Sequence, residues 1–307
     1  MRLPPAVPIF LLLALPLVLP MGAHAGYVLD LGARIAILGI AALSLNLLLG
    51  AGGLVSFGHA AFLAIGAYGV AILDANAIHN AVVVVPVVLA ASLVFSVPTG
   101  AVALRTRGVN FIMITLAFSQ MVYFAAGSLA DYGGDDGYTL SARTTWFHAR
   151  PLATSYGFYA ACVALLLGSY LLCRALVASR FGRALRAIRQ DRQRVQGLGI
   201  NPFAIQLTAI AIGGMMAALA GALLANAAEF ASPAYAAWQR SGDLLIMVIL
   251  GGAGSVHGAI LGAAAVVLAE EALGSVTEHW RILYGPMLVL AVIFFRGGLA
   301  GIGRPKG

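Results

Sequence analysis

The chain has 307 residues, of which 61% are hydrophobic and only 9% charged, with a formal net charge of +7. A soluble domain needs a polar exterior that this composition cannot supply, so lipid must solvate the outside. Long apolar runs without alternation exclude a barrel, because amides in hydrocarbon must pair within their own segment. The expected class is an all-α polytopic membrane protein, one transmembrane domain over 1–307 with a cytoplasmic loop at 179–203. It should have about eight full spans plus a re-entrant or broken-helix pair, and both termini in the cytoplasm.

Apolar runs fit to span, at about 20 residues each, fall at 8–22, 31–50, 55–73, 82–104, 109–128, 157–178, 204–228, 242–270 and 281–296. The first run follows Arg2 and precedes Ala23-His24-Ala25, a pattern resembling a cleavable secretory signal. The many spans behind it favour a retained first helix instead. A glycine-rich break, Gly50-Ala51-Gly52-Gly53, precedes Ser56-Phe57-Gly58-His59. Alternation from an inside N-terminus then holds through the seventh run and fails at 242–270. There Gly251-Gly252-Ala253-Gly254-Ser255 interrupts the run, and glycine can turn the chain back toward the side it entered from. The arm 243–250 is too short to span at about 1.5 Å per residue.

Paired broken helices point to a transporter's solute path. The candidates for that path are Asn46, Ser56, Gly58, His59 and Phe62 at the first break, and Gly251, Gly252, Gly254, Ser255 and Gly258 at the second. The competing reading is that the glycines only permit close helix packing. His59 and His257, one beside each break, are either relay groups or neutral rings bonded to nearby backbone.

Charge placement sets orientation. Arg2, Arg105, Arg107, Arg174, Arg180, Arg183, Arg186, Arg189, Arg192, Arg194, Arg296, Arg304 and Lys306 share one side, with Asp191 as their only acid. Cytoplasmic loops retain Lys and Arg, so that side is the cytoplasm of a bacterial inner membrane. The positive charge thus reflects topology and does not imply nucleic acid. Outside fall Asp74, the loop 129–156 with Asp131, Asp135 and Asp136, and the segment 229–241. That outer loop is either a docking surface or a solvated connection. Trp146, Trp238 and Trp280 fall near outer interfaces, where headgroup anchoring is the default. Cys162 and Cys173 share one apolar run and are expected to be reduced packing residues.

The longest basic segment, 179–199, reads as an amphipathic helix. Phe181, Ala184, Leu185, Ile188 and Val195 share its apolar face, and Arg180, Arg183, Arg186, Arg189 and Arg194 fall off it. Arg192 lands among the apolar positions, and Gly197 and Gly199 would end the helix. Such a stripe either lies on anionic headgroups or docks in a groove of a cytoplasmic partner.

In order and spacing these pieces resemble permease subunits of branched-chain amino acid ABC transporters, the LivM/LivH type. The resemblance rests on Asn46 and Gly50, on 53–62 from Gly53 through Ser56-Phe57-Gly58-His59 to Phe62, and on Arg107-Gly108. It extends to Gly133-Gly134-Asp135-Asp136-Gly137, to Phe181-Gly182-Arg183-Ala184-Leu185-Arg186-Ala187-Ile188-Arg189 with Leu198-Gly199, and to Gly251–Ser255 with Gly258. It implies a heteromeric importer: a second permease subunit, two cytoplasmic ATPase subunits and a periplasmic solute-binding protein, in the lipid bilayer. It further implies that Arg180 through Arg189, Asp191, Leu198 and Gly199 form the element that receives the ATPase stroke.

The chemistry is compatible with that. No phosphate-binding loop with Gly-Lys-Ser/Thr occurs, since the only lysine is Lys306. The chain itself is expected to be no enzyme and to bind no cofactor, with ATP used by partner subunits. An ion-coupled secondary transporter is the rival class, yet the spans carry no carboxylate near mid-depth, where proton relays usually place one. Within the ABC class, import of urea, short amides or sugars is the alternative to branched-chain amino acids.

Overall fold

A computed structural model describes residues 25–145, 154–275, 285–286 and 298–301. The first apolar run, the last one apart from 285–286, Trp146, Trp280 and both termini lie outside the described residues. Ten helices are described: α1 (Ala25–Asn46), α2 (His59–Ala75), α3 (Ala81–Ala103), α4 (Val109–Gly127), α5 (Ser155–Ala178), α6 (Arg180–Gln190), α7 (Arg192–Gly197), α8 (Pro202–Ala228), α9 (Trp238–Gly251) and α10 (Val256–Gly274). With its continuation to Ala51, α1 is long and apolar enough to cross a membrane, as are α3, α4, α5, α8 and α10; α2 is apolar but shorter, at 17 residues. The chain is an all-helical, multi-pass membrane protein.

Helix starts follow local chemistry. Asn80, Thr154, Ser179, Asn201 and Ser255 each accept a backbone N–H at the head of a helix, filling the donors that a first turn leaves open. α1 begins six residues before the expected run, carrying Asp30 and Arg34 on its first turns. Arg34 pairs with Glu270 at 2.6 Å.

The core is central and glycine-rich. α1 and α8 are the most enclosed of the spanning helices, whereas α3, α4 and α5 show most of their surface. Where α2 meets α8, a Cβ on Gly66 would sit 1.9 Å from the Ala218 carbonyl oxygen, and one on Gly221 equally close to that of Leu63. Only glycine permits this backbone-to-backbone approach, which drives association where lipid supplies no hydrophobic force. The outward faces of α3, α4 and α5 present Val94, Met113, Met121, Phe124 and Leu171.

The run 242–270 is two helices. α9 has 14 residues, about 21 Å at 1.5 Å each, while α10 has 19 and reaches spanning length. Only the first arm is therefore short, because the break falls at 252–255 and both arms extend beyond the apolar run. They return on each other: Arg240 and Asp243 of α9 line one cavity with Arg34 and Glu270.

At that same end the loops are tied together. Tyr138–Thr139 (β1) pairs antiparallel with Phe230–Ala231 (β2). The carboxylate of Asp74, buried at the end of α2, accepts from Ser141 N (2.8 Å), Ser141 Oγ (2.9 Å) and Tyr138 OH (3.2 Å), and lies 3.0 Å from His79 Nδ1. Arg143 pairs with Glu229 at 2.9 Å. The stretch 129–145 is thus a fixed cap, with Asp131, Asp135 and Asp136 exposed on it.

Candidate functional site

Two glycine breaks 200 residues apart in sequence meet in space. α1 widens into a π turn, Leu47–Ala51, before Gly52 and a left-handed Gly53 (φ +67°). Asn46, at the start of that turn, accepts from Gly254 N (3.0 Å) and donates through Nδ2 to Ser255 O (3.1 Å). One carboxamide therefore satisfies both a donor and an acceptor that the second break would leave unpaired. A Cβ on Gly50 would lie 2.5 Å from Gly254 N, so no other residue fits there. In the second break Gly252 and Gly254 adopt φ +107° and +95°, and Ser255 Oγ caps α10 through Gly258 N.

The sequence-derived path residues separate into two groups. Ser56, Gly58, His59 and Phe62 line a groove with Phe95, Thr99, Gly100, Phe111, Thr115 and Phe118, between α2, α3 and α4. Asn46 and Gly254 line a different recess beside the first break, with Gly50, Cys173 and Arg186. Gly251 and Gly258 are packed against each other, where a Cβ on Gly251 would stand 2.0 Å from the Gly258 carbonyl oxygen. At those two positions the geometry is that of close helix packing. Gly252 lies against Gly298, and Ser255 is committed to its cap.

The groove is built by cross-bonding. Phe57 N donates to Thr115 Oγ1 (3.2 Å), Gly58 N to Ser56 Oγ (3.2 Å), and Ala60 N to Ser241 Oγ of α9 (3.0 Å). Ser119 of α4 donates to Ala236 O at 2.9 Å and so ties α4 to the turn Pro233–Ala236 that precedes α9. Four phenyl rings and the hydroxyls of Ser56, Thr99 and Thr115 surround the groove. His59 is fully buried; its ring faces the Ser44 carbonyl, yet neither nitrogen reaches hydrogen-bond geometry with any described residue. The free volume is about 30 Å³, room for a water. No residue of the sequence reading pointed to Phe95, Thr99 or Phe118; only their position on neighbouring helices brings them in.

The basic segment is not one helix. α6 ends at Asp191, whose backbone is extended (φ −154°), and Asp191 caps α7 by accepting from Arg194 N at 3.0 Å. The register restarts there, which explains why Arg192 misfits a continuous helix. The apolar stripe packs largely on the chain itself. Leu185 and Ile188 are buried in the chain's own bundle, Leu185 in a cluster with Ala51 and Ala209, and Phe181 packs at the edge of that cluster. Gly182 fits where a Cβ would strike the Leu176 and Val177 carbonyls at the end of α5.

The arginines cap other helices. Arg183 donates to Ala178 O (3.1 Å), Arg186 to Val177 O (2.9 Å), and Arg189 to Gly50 O (2.7 Å). Each fills a carbonyl that a helix end leaves open. Arg189 also links the basic segment directly to the first break. What this segment offers outward is Arg180, the polar faces of the capping arginines, Arg194, and Leu198 with Gly199; Leu198 is 74% exposed. Cys162 and Cys173 are buried free thiols, Cys173 lying 3.9 Å from Leu43 O.

Broken helices locked by a shared asparagine, a hydroxyl- and phenyl-lined groove and an arginine-rich segment anchored on the break thus lie together in a chain with six helices of membrane-spanning length among the described residues. The family model for the branched-chain amino acid transport system permease component matches residues 27–292. The chain belongs to that family, as a permease of an ABC transport system. It is 28% identical over 290 residues to LivM, a high-affinity branched-chain amino acid transport permease of Salmonella typhimurium, covering 87% of this chain and 68% of that protein. It is 29% identical over 292 residues to LivM of Escherichia coli, with the same coverage. A shorter stretch, 131 residues at 30%, is similar to the autoinducer 2 import permease LsrC of Photorhabdus laumondii, covering 40% of this chain and 39% of that protein. No solved structure matches the chain.

Proposed function

We propose that this chain is a membrane-spanning subunit of an ATP-driven importer of branched-chain or related amino acids in a bacterial inner membrane. It works with a second permease, two cytoplasmic ATPase subunits and a periplasmic binding protein. The observation that carries the substrate is the similarity to LivM along 87% of the chain. The groove supports it: phenyl rings suit an aliphatic side chain, while Ser56, Thr99, Thr115 and the imidazole of His59 offer neutral polar contacts to a zwitterion. Selection falls to the binding protein, so the path needs no fixed charge.

At about 30 Å³ the groove does not admit an amino acid. Passage requires α2 to part from α3 and α4. Arg189 supplies the lever: it is rooted in α6, bonds Gly50 O and packs its stem on Gly53. A push on α6 from an ATPase therefore reaches the break that precedes α2. A second reading, import of another small solute, has the local similarity to the autoinducer 2 permease behind it.

Reconstitution tests both. Proteoliposomes with all partners are expected to take up labelled leucine only with ATP and binding protein. Uptake by this chain alone under a proton gradient refutes the reading, and failure with leucine but success with another solute selects the second.

A further inference from the structure

At the arginine-rich end, sharing only Phe111 with the groove, lies a cavity of about 260 Å³. It is enclosed by Gly52–Val55 after the first break, by the loop from α3 into α4, by α6, and by Gln206 of α8. Arg107, Arg189 and Arg192 all line it, and among the described residues no carboxylate does. The acid nearest in sequence, Asp191, is turned away, bonded to Arg194 N and 3.5 Å from Arg194 Nε.

The cations are incompletely used. Arg189 gives one nitrogen to Gly50 O, but Arg192 Nε is buried and has no hydrogen-bond partner among the described residues. Gln206 is buried too, its Oε1 unpartnered, and an amide flip would turn a donor toward the same space. Burial first, and the Arg107 charge second, lower the pKa of Arg192. Three guanidinium groups that repel each other around one space are stabilised by an anion with several acceptor oxygens, which planar forks bind bidentately.

We propose that this cavity is a binding site for a phosphate-bearing anion, held by Arg107, Arg192 and the free face of Arg189. Position favours the headgroup of an acidic phospholipid over a soluble phosphate. Val109 and Met113, exposed and apolar, occupy the first turns of α4, the helix that begins two residues after Arg107, so an acyl chain can run along α4 while its phosphate enters. Basic pockets between helices at a cytoplasmic surface suit such headgroups. A lipid seated there would brace Arg189 against the break.

Native mass spectrometry of the full-length purified chain tests this, with phosphatidylglycerol, phosphatidylcholine and inorganic phosphate added separately. Phosphatidylglycerol adducts are expected to exceed phosphatidylcholine adducts about tenfold or more, the order expected of two or three basic residues near an acidic headgroup. The Arg107→Gln/Arg192→Gln pair should abolish that preference, while Arg194→Gln, outside the cavity, should keep it. Should the Gln pair unfold, Arg107→Lys/Arg192→Lys carries the test: it keeps both charges but loses the planar forks, so the preference should fall by several fold, and an undiminished preference overturns the bidentate seat. Displacement of the lipid by millimolar phosphate supports the shared chemistry, and phosphate binding without lipid preference makes the soluble ion the ligand. Equal retention of both lipids with no phosphate bound overturns the proposal. So does a folded Gln pair that binds like the wild type, or an Arg192 shielded from arginine-modifying reagent only when ATPase subunits are added.

Discussion

The carboxamide of Asn46 spends its oxygen on Gly254 N and its amide on Ser255 O, 208 and 209 residues away. The sequence made Asn46 conspicuous because it is a polar residue one turn ahead of a glycine break inside an apolar run. Its partners were not legible, since nothing local says which distant backbone a side chain meets. Asn46→Ala leaves one donor and one acceptor unmade in a buried place, each costing about 1–3 kcal/mol. The purified variant should melt clearly below wild type in the same detergent, and ATP-driven uptake should fall with it; coincident melting curves would contradict the bracket. Gly58→Leu tests the groove instead. A Cβ there already lies 3.0 Å from Thr115 O, so the larger side chain must fill the space between α2 and α4. Uptake should drop at least tenfold while the protein still assembles with its partners, and full uptake would remove the groove from the path.

Periodicity located α6 correctly and misjudged what its apolar face does. Spacing shows that Leu185 and Ile188 share a side, but not whether lipid, a partner or the chain itself lies opposite. The end at Asp191 was equally hidden, because an acidic residue inside a basic helix reads as a salt-bridge member as easily as a cap. Burial now divides the segment into structural and outward-facing parts. Leu185→Ala removes a fully buried side chain and should cost about 2–5 kcal/mol, lowering the melting temperature even with no partner present. Asp191→Ala removes the cap of α7 and should cost about 0.5–2 kcal/mol. Leu198→Ala touches an exposed side chain, so melting of the isolated chain should not move. If the segment receives the ATPase stroke, Leu198→Ala should still reduce ATP-driven uptake and the stimulation of ATPase activity. An uptake loss at Leu185 without any loss of stability would reverse this division.

The molecule has two unlike ends, and its internal bonds fix which segments share each. Asp74 bonds Ser141, so α3 and α4 between them make an even number of crossings; β1 pairs with β2, so α5 and α8 do likewise. Arg34 bonds Glu270, which returns α10 to the end where α1 starts. At the other end Arg189 holds Gly50, Gly50 abuts Gly254, and Gly298 lies against Gly252. The chain at 298–301 therefore sits with the basic segment, as the glycine-interrupted run had to allow for the charge count to balance. The return at 251–255 was legible in the sequence because charge and glycine are local signals; the groove was not, since its walls come from α2, α3 and α4 with Leu48 of the π turn and Ile210 of α8, whose neighbours no single run reveals. Charge asymmetry then assigns the ends, because Arg105, Arg107 and the arginines of α6 and α7 lie at one and Asp74, Asp135, Asp136 and Glu229 at the other. The two native thiols are buried, so an introduced cysteine reports its own exposure. In intact cells a membrane-impermeant maleimide should label Asp136→Cys and leave Gln190→Cys unmodified; inside-out vesicles should give the opposite pattern. Labelling of Gln190→Cys from outside the cell would put the basic segment beyond the reach of any cytoplasmic ATPase, and with it would go the coupling route through Arg189 to the first break.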